Sequence, residues 1–298
     1  MISAFSQAVY RRKPAVFSAI LPRTEDALLT LNTPNLSLNA IAASGQCFRW
    51  TPMENGCRIV AHGRVLHARQ VGPEKLALDC GAAEKALWRD YFDLDTDYAA
   101  IIGAIPPEDA YLRAAAEYGQ GIRILRQDPW EVLITFILSQ RKSIPAIRQA
   151  VERLCAAAGE EIGSEEGMPL YAFPSPEALA RLNDTALQRC GLGYRAPYVH
   201  RTACAFAEGR LTAAGLETLP DDDLFSALCG LYGVGRKIAH CVLLFGFHRM
   251  NAFPVDVWMQ RVGAAHYPGG IPLAEYAPWA GVMQQYMFAY ERHLNGKG

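Results

Sequence analysis

Lys237 and Asp256 are the two residues of this chain whose types and setting best suit covalent chemistry. Lys237 follows a glycine-rich turn and has apolar neighbours, so partial burial and the positive end of a helix dipole disfavour its charge. An amine that is neutral part of the time is a nucleophile. Each residue alone is more often a solvated lysine or a helix cap. The pair, with apolar neighbours around both residues, is less easily explained by those two ordinary roles.

The turn before Lys237 has the pattern of a helix-hairpin-helix. Leu231-Tyr232-Gly233-Val234-Gly235 separates a short predicted helix from an apolar one. Gly233 and Gly235 would let the backbone approach a phosphate closely, and the N–H groups that open the next helix favour an anion. The alternative is a simple glycine turn between two core helices.

Composition places the chain among ordinary globular proteins. Of 298 residues, 51% are hydrophobic, and 29 Lys+Arg balance 30 Asp+Glu, so no basic surplus points to nucleic acid. No apolar run approaches the roughly 20 residues of a membrane helix. The eight cysteines are scattered without a C-x-x-C pair, which is typical of reduced thiols. Arg11-Arg12-Lys13 and the apolar stretch 15–21 make a poor signal peptide, so we expect a cytoplasmic protein.

The first part of the chain alternates like a β meander. Short alternating runs are separated by turn pairs such as Asn55-Gly56 and His62-Gly63. A helix is expected over 84–92, with Pro106-Pro107 soon after it. The predicted strands cover residues 46–50, 57–62, 64–71 and 75–80.

Beyond residue 120 the sequence has the start and stop signals of helices. Asp128-Pro129 supplies a cap and a proline at the first helical position, and residues 132–138 are apolar on every face, as in the centre of a bundle. Later helices are predicted at 223–230, 236–247, 256–265 and 278–292. The fold class is therefore α+β: an N-terminal antiparallel β domain with flanking helices at 1–118, and an all-helical helix-hairpin-helix domain at 119–298.

Residues 233–237 and Pro254-Val255-Asp256-Val257 resemble the active-site signature of the helix-hairpin-helix DNA glycosylases, and specifically the 8-oxoguanine DNA glycosylase family. Such co-occurrence over roughly residues 35 to 292 is far more specific than a single motif. It indicates a bacterial-type member. Further segments resemble the family in the same order: 44–50, 125–129, 191–195 and 280–284.

The resemblance implies a bifunctional glycosylase. Lys237 would attack C1′ of the damaged nucleotide, expel the base and form a Schiff base that permits β-elimination at an abasic (AP) site. Asp256 would stabilise the developing charge on the sugar while it also caps its own helix.

Four residues match the family's base pocket. Phe288 and Cys241 would sandwich the flipped base, and Gln284 would hydrogen-bond its Watson–Crick edge. The Gly45 carbonyl would accept the N7 proton that 8-oxoguanine has and guanine lacks. Without the resemblance, each has an ordinary structural role: Phe288 in a helix core, Cys241 as a small apolar filler, Gln284 as a surface amide and Gly45 in a turn.

The implied DNA contacts are the hairpin residues Gly233, Val234 and Gly235, together with Tyr194 as a wedge and Arg195 toward the opposite cytosine. Better-known members carry an Asn-rich segment where this chain has 139–143, so the resemblance does not imply strict pairing with cytosine. Arg141 in that stretch would fill the gap or hold phosphate. Trp258 replaces a familiar phosphate-contacting histidine.

No cofactor is expected. No cysteine follows Cys241, so the four-cysteine iron–sulfur cluster of some superfamily members is excluded, and no side-chain cluster predicts a metal. The expected partner is double-stranded DNA containing oxidised guanine, bound by a monomer in the cytoplasm near the nucleoid. Two alternatives remain: a non-catalytic helix-hairpin-helix DNA-binding module, and a related glycosylase for a different damaged base.

Overall fold

The computed structural model describes residues 28–54 and 56–296. Its N-terminal part is a five-stranded antiparallel sheet of order β1-β5-β4-β3-β2, so the predicted meander is confirmed and an additional strand, β1, closes its far edge. The basic N-terminal segment and Asn55 lie outside the described residues. The strands are β1 Leu28–Asn32, β2 Trp50–Met53, β3 Gly56–Ala61, β4 Arg64–Gly72 and β5 Lys75–Asp79.

The strand predicted at 46–50 is wrong, because β2 begins only at Trp50 and a helix, α1 (Leu38–Ala43), precedes it. The reason is Gln46, whose buried side chain bonds to another segment. Its Nε2 donates to the Arg123 carbonyl at 2.8 Å, and its Oε1 accepts from the Leu125 N–H at 2.9 Å. These bonds hold residues 46–49 as a buried loop, which alternation alone cannot distinguish from a strand.

Three helices follow the sheet, and they divide between two hydrophobic cores. The first core lies under the sheet and includes Trp88 and Phe92 of the predicted 84–92 helix. The second includes Tyr98 and Leu112, so α3 and α4 pack with the later helices. The domain boundary at 118/119 stays a prediction. The three helices are α2 Lys85–Tyr91, α3 Tyr98–Gly103 and α4 Ala110–Tyr118.

The rest of the chain is helical around α5, whose residues 132–138 are all buried, as its apolar surface predicts. Asp128 caps α5 through bonds to the Trp130 and Glu131 N–H groups. The helices predicted at 223–230, 236–247, 256–265 and 278–292 are present, and each begins within two residues of its predicted start. The helices are α5 Pro129–Ser139, α6 Ile144–Ala158, α7 Pro176–Ala180, α8 Asp184–Arg189, α9 Ala196–Ala207, α10 Ala213–Glu217, α11 Asp221–Cys229, α12 Arg236–Phe245, α13 Val257–His266, α14 Leu273–Tyr276 and α15 Ala280–Leu294.

A two-stranded hairpin interrupts the helices and was not predicted from the sequence. It pairs β6 (Glu161–Glu165) with β7 (Met168–Tyr171) and joins the two halves of the molecule. Glu165 accepts hydrogen bonds from Arg58 and His67 of the sheet. These bonds and the two cores hold the sheet against the helices.

Candidate active site

The predicted helix-hairpin-helix is present as α11, a six-residue turn and α12. Gly233 has φ +86°, and a Cβ there would stand 2.3 Å from the Tyr198 ring. Gly235 is the N-cap of α12, no side chain caps that helix, and a Cβ at Gly235 would meet nothing within 4 Å. The start of α12 is therefore open to an approaching anion.

Lys237 lies half-buried in the first turn of α12, with its Nζ 5.5 Å from the centroid of the Phe136 ring. Phe136 belongs to α5 and stacks on Phe245 at 5.5 Å with an interplanar angle of 16°. The aromatic face supports the ammonium group by a cation–π contact. Sequence analysis missed Phe136 as a site residue, because nothing in a uniformly apolar helix marks one member.

Asp256 is the N-cap of α13, as predicted. Its Oδ1 accepts from the backbone N–H groups of Trp258 at 2.9 Å and Met259 at 3.0 Å. Both capping bonds fall on the same oxygen, and Oδ2 takes no part in them. The cap fixes the carboxylate while its other oxygen remains available to a reacting group.

Both members of the predicted catalytic pair influence the buried thiol of Cys241. Burial raises the pKa of Cys241, the Lys237 ammonium opposes this through its charge and a hydrogen bond, and the Asp256 carboxylate adds to it. Lys237 and Asp256 therefore lie within electrostatic reach of one thiol.

The last helix, α15, packs against α13 and contacts the segment before it. Gln284 is buried, its Nε2 donates to the Pro254 carbonyl at 3.2 Å, and its Oε1 accepts from Gln285 at 2.9 Å. Pro254 stands two residues before Asp256. These bonds set the orientation of the Gln284 amide against the segment that leads to Asp256.

Phe288 lies one turn after Gln284 and meets Gly45 from the sheet half of the molecule. Gly45 has φ +77°, and a Cβ there would stand 3.5 Å from the Phe288 ring. Arg292 donates from Nη1 to the Ala43 carbonyl at 3.0 Å and lies 5.4 Å from the Phe288 ring centroid. The structure thus places Gly45 against Phe288, and Gln284 against the segment that leads to Asp256, while Cys241 lies one turn after Lys237 in α12.

The predicted opposite-strand residues differ in exposure. Arg141 is exposed, with φ +52° directly after α5, and Tyr194 is half exposed. Arg195 is buried, and its guanidinium donates to the Gln140 carbonyl at 2.8 Å and the Leu192 carbonyl at 3.2 Å. Gln140 in turn donates from Nε2 to the Gly233 carbonyl at 3.1 Å. Arg195 and Gln140 therefore brace the turn that carries Arg141 against the hairpin.

Within the described residues, no group of three or more His, Cys, Asp or Glu could hold a metal ion. All eight cysteines are free thiols and six of them are buried. No helix in this part of the chain is long and apolar enough to cross a membrane.

Two family models match the chain consecutively. Residues 28–133 match "8-oxoguanine DNA glycosylase, N-terminal domain", and residues 134–269 match "HhH-GPD superfamily base excision DNA repair protein". The sheet and the helical half are thus each recognised, and the hairpin and Lys237–Asp256 lie in the second match. The chain belongs to the helix-hairpin-helix base excision repair superfamily and, within it, to the 8-oxoguanine DNA glycosylase family.

Similar proteins come from several kingdoms. An N-glycosylase/DNA lyase of Saccharomyces cerevisiae is 32% identical, over 80% of this chain and 70% of its own length. The structure of an 8-oxoguanine glycosylase/lyase from Clostridium acetobutylicum, with double-stranded DNA containing cytosine opposite 8-oxoguanine, has 32% identity and a TM-score of 0.82, over 88% of this chain and 93% of that one. A structure described as MBOgg1 with a low-affinity DNA ligand has 32% identity and a TM-score of 0.86. The match covers 92% of this chain and 98% of that one.

Proposed function

We propose that this protein is a bifunctional DNA glycosylase that excises 8-oxoguanine from duplex DNA and cleaves the strand at the resulting abasic site. Lys237 in the first turn of α12, after an uncapped hairpin, together with Asp256 at the start of α13 within the same matched repair-protein segment, carries the proposal. The relatives named N-glycosylase/DNA lyase support it.

The chemistry begins when the Lys237 ammonium releases a proton to solvent, and the lone pair of the resulting amine attacks C1′ of the damaged nucleotide. The C1′–N9 bond breaks with its electrons leaving on the base, and the base takes up the proton that Nζ loses as it becomes the aminal nitrogen. Asp256 stabilises the cationic sugar through the oxygen that does not cap α13. The resulting aminal opens to an imine between Nζ and C1′, and loss of a C2′ proton then expels the 3′ phosphate by β-elimination.

The base leaves the stack to reach this site and needs a pocket that distinguishes it from guanine. Phe288 and Cys241 cover its two faces, and the Gln284 amide, held by Pro254 and Gln285, bonds to its Watson–Crick edge. The Gly45 carbonyl accepts the N7 proton of 8-oxoguanine. Guanine would place an unprotonated N7 against that carbonyl, and two acceptors without a proton repel.

The opposite strand faces Arg141 and Tyr194. Tyr194 is an exposed wedge beside the gap, whereas buried Arg195 acts through the turn that it braces. A guanidinium has several donors and no acceptor, so Arg141 pairs with acceptor edges such as O2 and N3 of cytosine or O6 and N7 of guanine. We therefore expect a preference among opposite bases without a strict requirement for cytosine.

The enzyme needs no cofactor in this mechanism, since a lysine, a carboxylate and the substrate supply every group. We infer that it acts as a monomer on DNA that contains oxidised guanine, in the cytoplasm of a bacterium at the nucleoid.

Borohydride trapping tests the proposal. Wild type and Lys237→Gln are incubated with duplexes that carry 8-oxoguanine opposite each of the four bases, or undamaged guanine. We expect a covalent adduct that requires both Lys237 and the lesion. Base release without an adduct would leave a glycosylase that lacks the lyase step, and binding without release would leave a non-catalytic DNA-binding module.

The base pocket has a separate test in Gly45→Ala. Its Cβ would make only ordinary contact with Phe288, but it would project toward the space assigned to the base, and φ +77° adds backbone strain. We expect excision of 8-oxoguanine to fall at least about tenfold while affinity for duplex DNA is kept. Normal rates on 8-oxoguanine and unchanged rejection of guanine would contradict this placement.

A further inference from the structure

Beside the hairpin lies a run of contacting aromatic rings and guanidinium groups, and the mechanism does not use its members Arg201, Tyr198 and Tyr232. Tyr232, in the hairpin turn, is 50% exposed. The Arg201 guanidinium carbon lies 4.2 Å from its ring centroid, and the Tyr198 ring meets it edge-on at 5.0 Å and 88°. Tyr232 is thus held between α9 and the hairpin with part of its surface in solvent.

The run continues toward the predicted wedge. Tyr198 meets Tyr194 at 5.9 Å and 75°, and Arg195 lies 4.2 Å from the Tyr194 ring centroid. We call these five residues, Arg201, Tyr232, Tyr198, Tyr194 and Arg195, the aromatic ladder. It links the hairpin to the 191–195 turn, so a ligand along it would contact both.

The outer end of the ladder carries uncompensated positive charge. Arg201 is exposed, and in the described part of the chain no carboxylate oxygen lies within 4.0 Å of it, whereas Arg210 further along is paired with Glu208. The open N-terminus of α12 lies at the other end of the same turn. Two features that favour anions therefore flank Tyr232.

We propose that Arg201 and Tyr232 form a further contact for the DNA backbone, next to the hairpin glycines, in which Arg201 binds a phosphate and Tyr232 packs its exposed face on the adjoining sugar. The inference rests on the proposed function, since duplex DNA is the ligand. The stack on Tyr232 holds the flexible Arg201 side chain in place, and this reduces the entropy lost on binding. The contact adds one phosphate to those that the hairpin backbone binds.

Salt dependence measures this contact, because each phosphate neutralised changes the slope of log affinity against log salt by about 0.9. Affinities of wild type, Arg201→Gln and Tyr232→Ala are measured between 50 and 200 mM KCl on a duplex that contains a tetrahydrofuran abasic analogue. We expect Arg201→Gln to reduce the slope by about 0.9 and to weaken binding roughly threefold or more at 50 mM. Tyr232→Ala removes the ring that Arg201 packs on, and we expect a smaller decrease in the slope and in affinity than for Arg201→Gln. Ethylation of one particular phosphate should weaken DNA binding by wild type and leave binding by Arg201→Gln unaffected.

Arg69→Gln is the matched control, because Arg69 is an exposed arginine in β4 of the N-terminal sheet, and its slope should equal that of wild type. Thermal unfolding identifies any variant that is misfolded, and Tyr232→Phe keeps the ring if Tyr232→Ala unfolds. An Arg201→Gln slope equal to wild type in a folded protein would overturn the inference. If the wild type formed no trapped adduct but Arg201→Gln still lowered the slope, the proposed chemistry would fail and the DNA contact would stand.

Discussion

The helices α12 and α13 both begin beside the candidate active site, and their N-termini are built in opposite ways. The start of α12 is Gly235, with no side-chain cap and open space in the direction of a Cβ. The start of α13 is Asp256, whose Oδ1 takes two backbone N–H groups. Both ends attract negative charge for the same reason. One is left for an anion of the ligand, and the other is filled by the protein's own carboxylate.

The difference shows how one physical effect serves binding and catalysis. In the proposed function, the unfilled helix end binds a phosphate through its backbone N–H groups, so a chain with a net charge of −1 needs no basic surplus to bind DNA. A filled end orients a carboxylate so that its second oxygen has a fixed direction. Lys237 lies in the first turn of α12, directly after the unfilled helix end.

Asp256→Asn, at the filled start of α13, should have the largest effect on activity. An asparagine oxygen still caps α13, so the fold is kept, but the charge that stabilises the cationic sugar is lost. We expect single-turnover excision of 8-oxoguanine to fall about 10²–10³-fold with DNA affinity retained. Asp256→Ala, which also removes the cap, should additionally lower the free energy of unfolding by about 1 kcal/mol. Unaltered excision by Asp256→Asn would refute the catalytic role.

Gly233→Ala should break the hairpin that leaves α12 open. The substitution places a Cβ against the Tyr198 ring at φ +86°, so we expect a loss of about 2 kcal/mol or more in the free energy of unfolding. Gly63→Ala is the control, because Gly63 has φ +67° and open space around it, and it should cost about 1 kcal/mol. Urea unfolding compares the free energies of unfolding of the two variants. Equal losses would mean that Tyr198 moves aside.

Gly235→Ala sharpens the comparison at the open helix end itself. The backbone of Gly235 has φ −96°, which alanine adopts readily, and its Cβ meets no protein atom, so the free energy of unfolding should fall by no more than about 1 kcal/mol, the usual cost of alanine at an N-cap. The methyl group would stand where a phosphate approaches the N–H groups. We expect affinity for an abasic-analogue duplex to fall about tenfold. Wild-type affinity would show that the phosphate lies elsewhere.

The smallest effect concerns a third helix start, that of α5, where Asp128 already caps and Glu131 follows in the first turn. Burial raises the pKa of Glu131 to about 7, Arg49 opposes this, and Asp128 and Glu152 add to it. Folding therefore favours protonated Glu131, so its contribution to stability is present below about pH 4.5 and is lost as the pH rises through about 7. Glu131→Gln should raise the melting temperature relative to wild type at pH 8 more than at pH 5. An equal difference at both pH values would exclude titration of Glu131 as the cause.

Local chemistry in the sequence was enough to predict much of this molecule. The cap at Asp128, the proline after it, the glycine hairpin and the start of α13 each depend on neighbours within a few residues, and the structure has all of them. The family membership followed from the order of several such motifs.

Tertiary structure decided what depends on contacts between distant segments. Residues 46–49 form a loop because Gln46 bonds to residues 123 and 125, and α3 and α4 join the helical core through packing that no local period specifies. Phe136 comes to lie under Lys237, and Arg195 is turned inward onto Gln140, only because α5, α9 and α12 meet. Sequence patterns determine which local structures are stable, whereas the partner of a buried polar or aromatic group is set by how those structures pack.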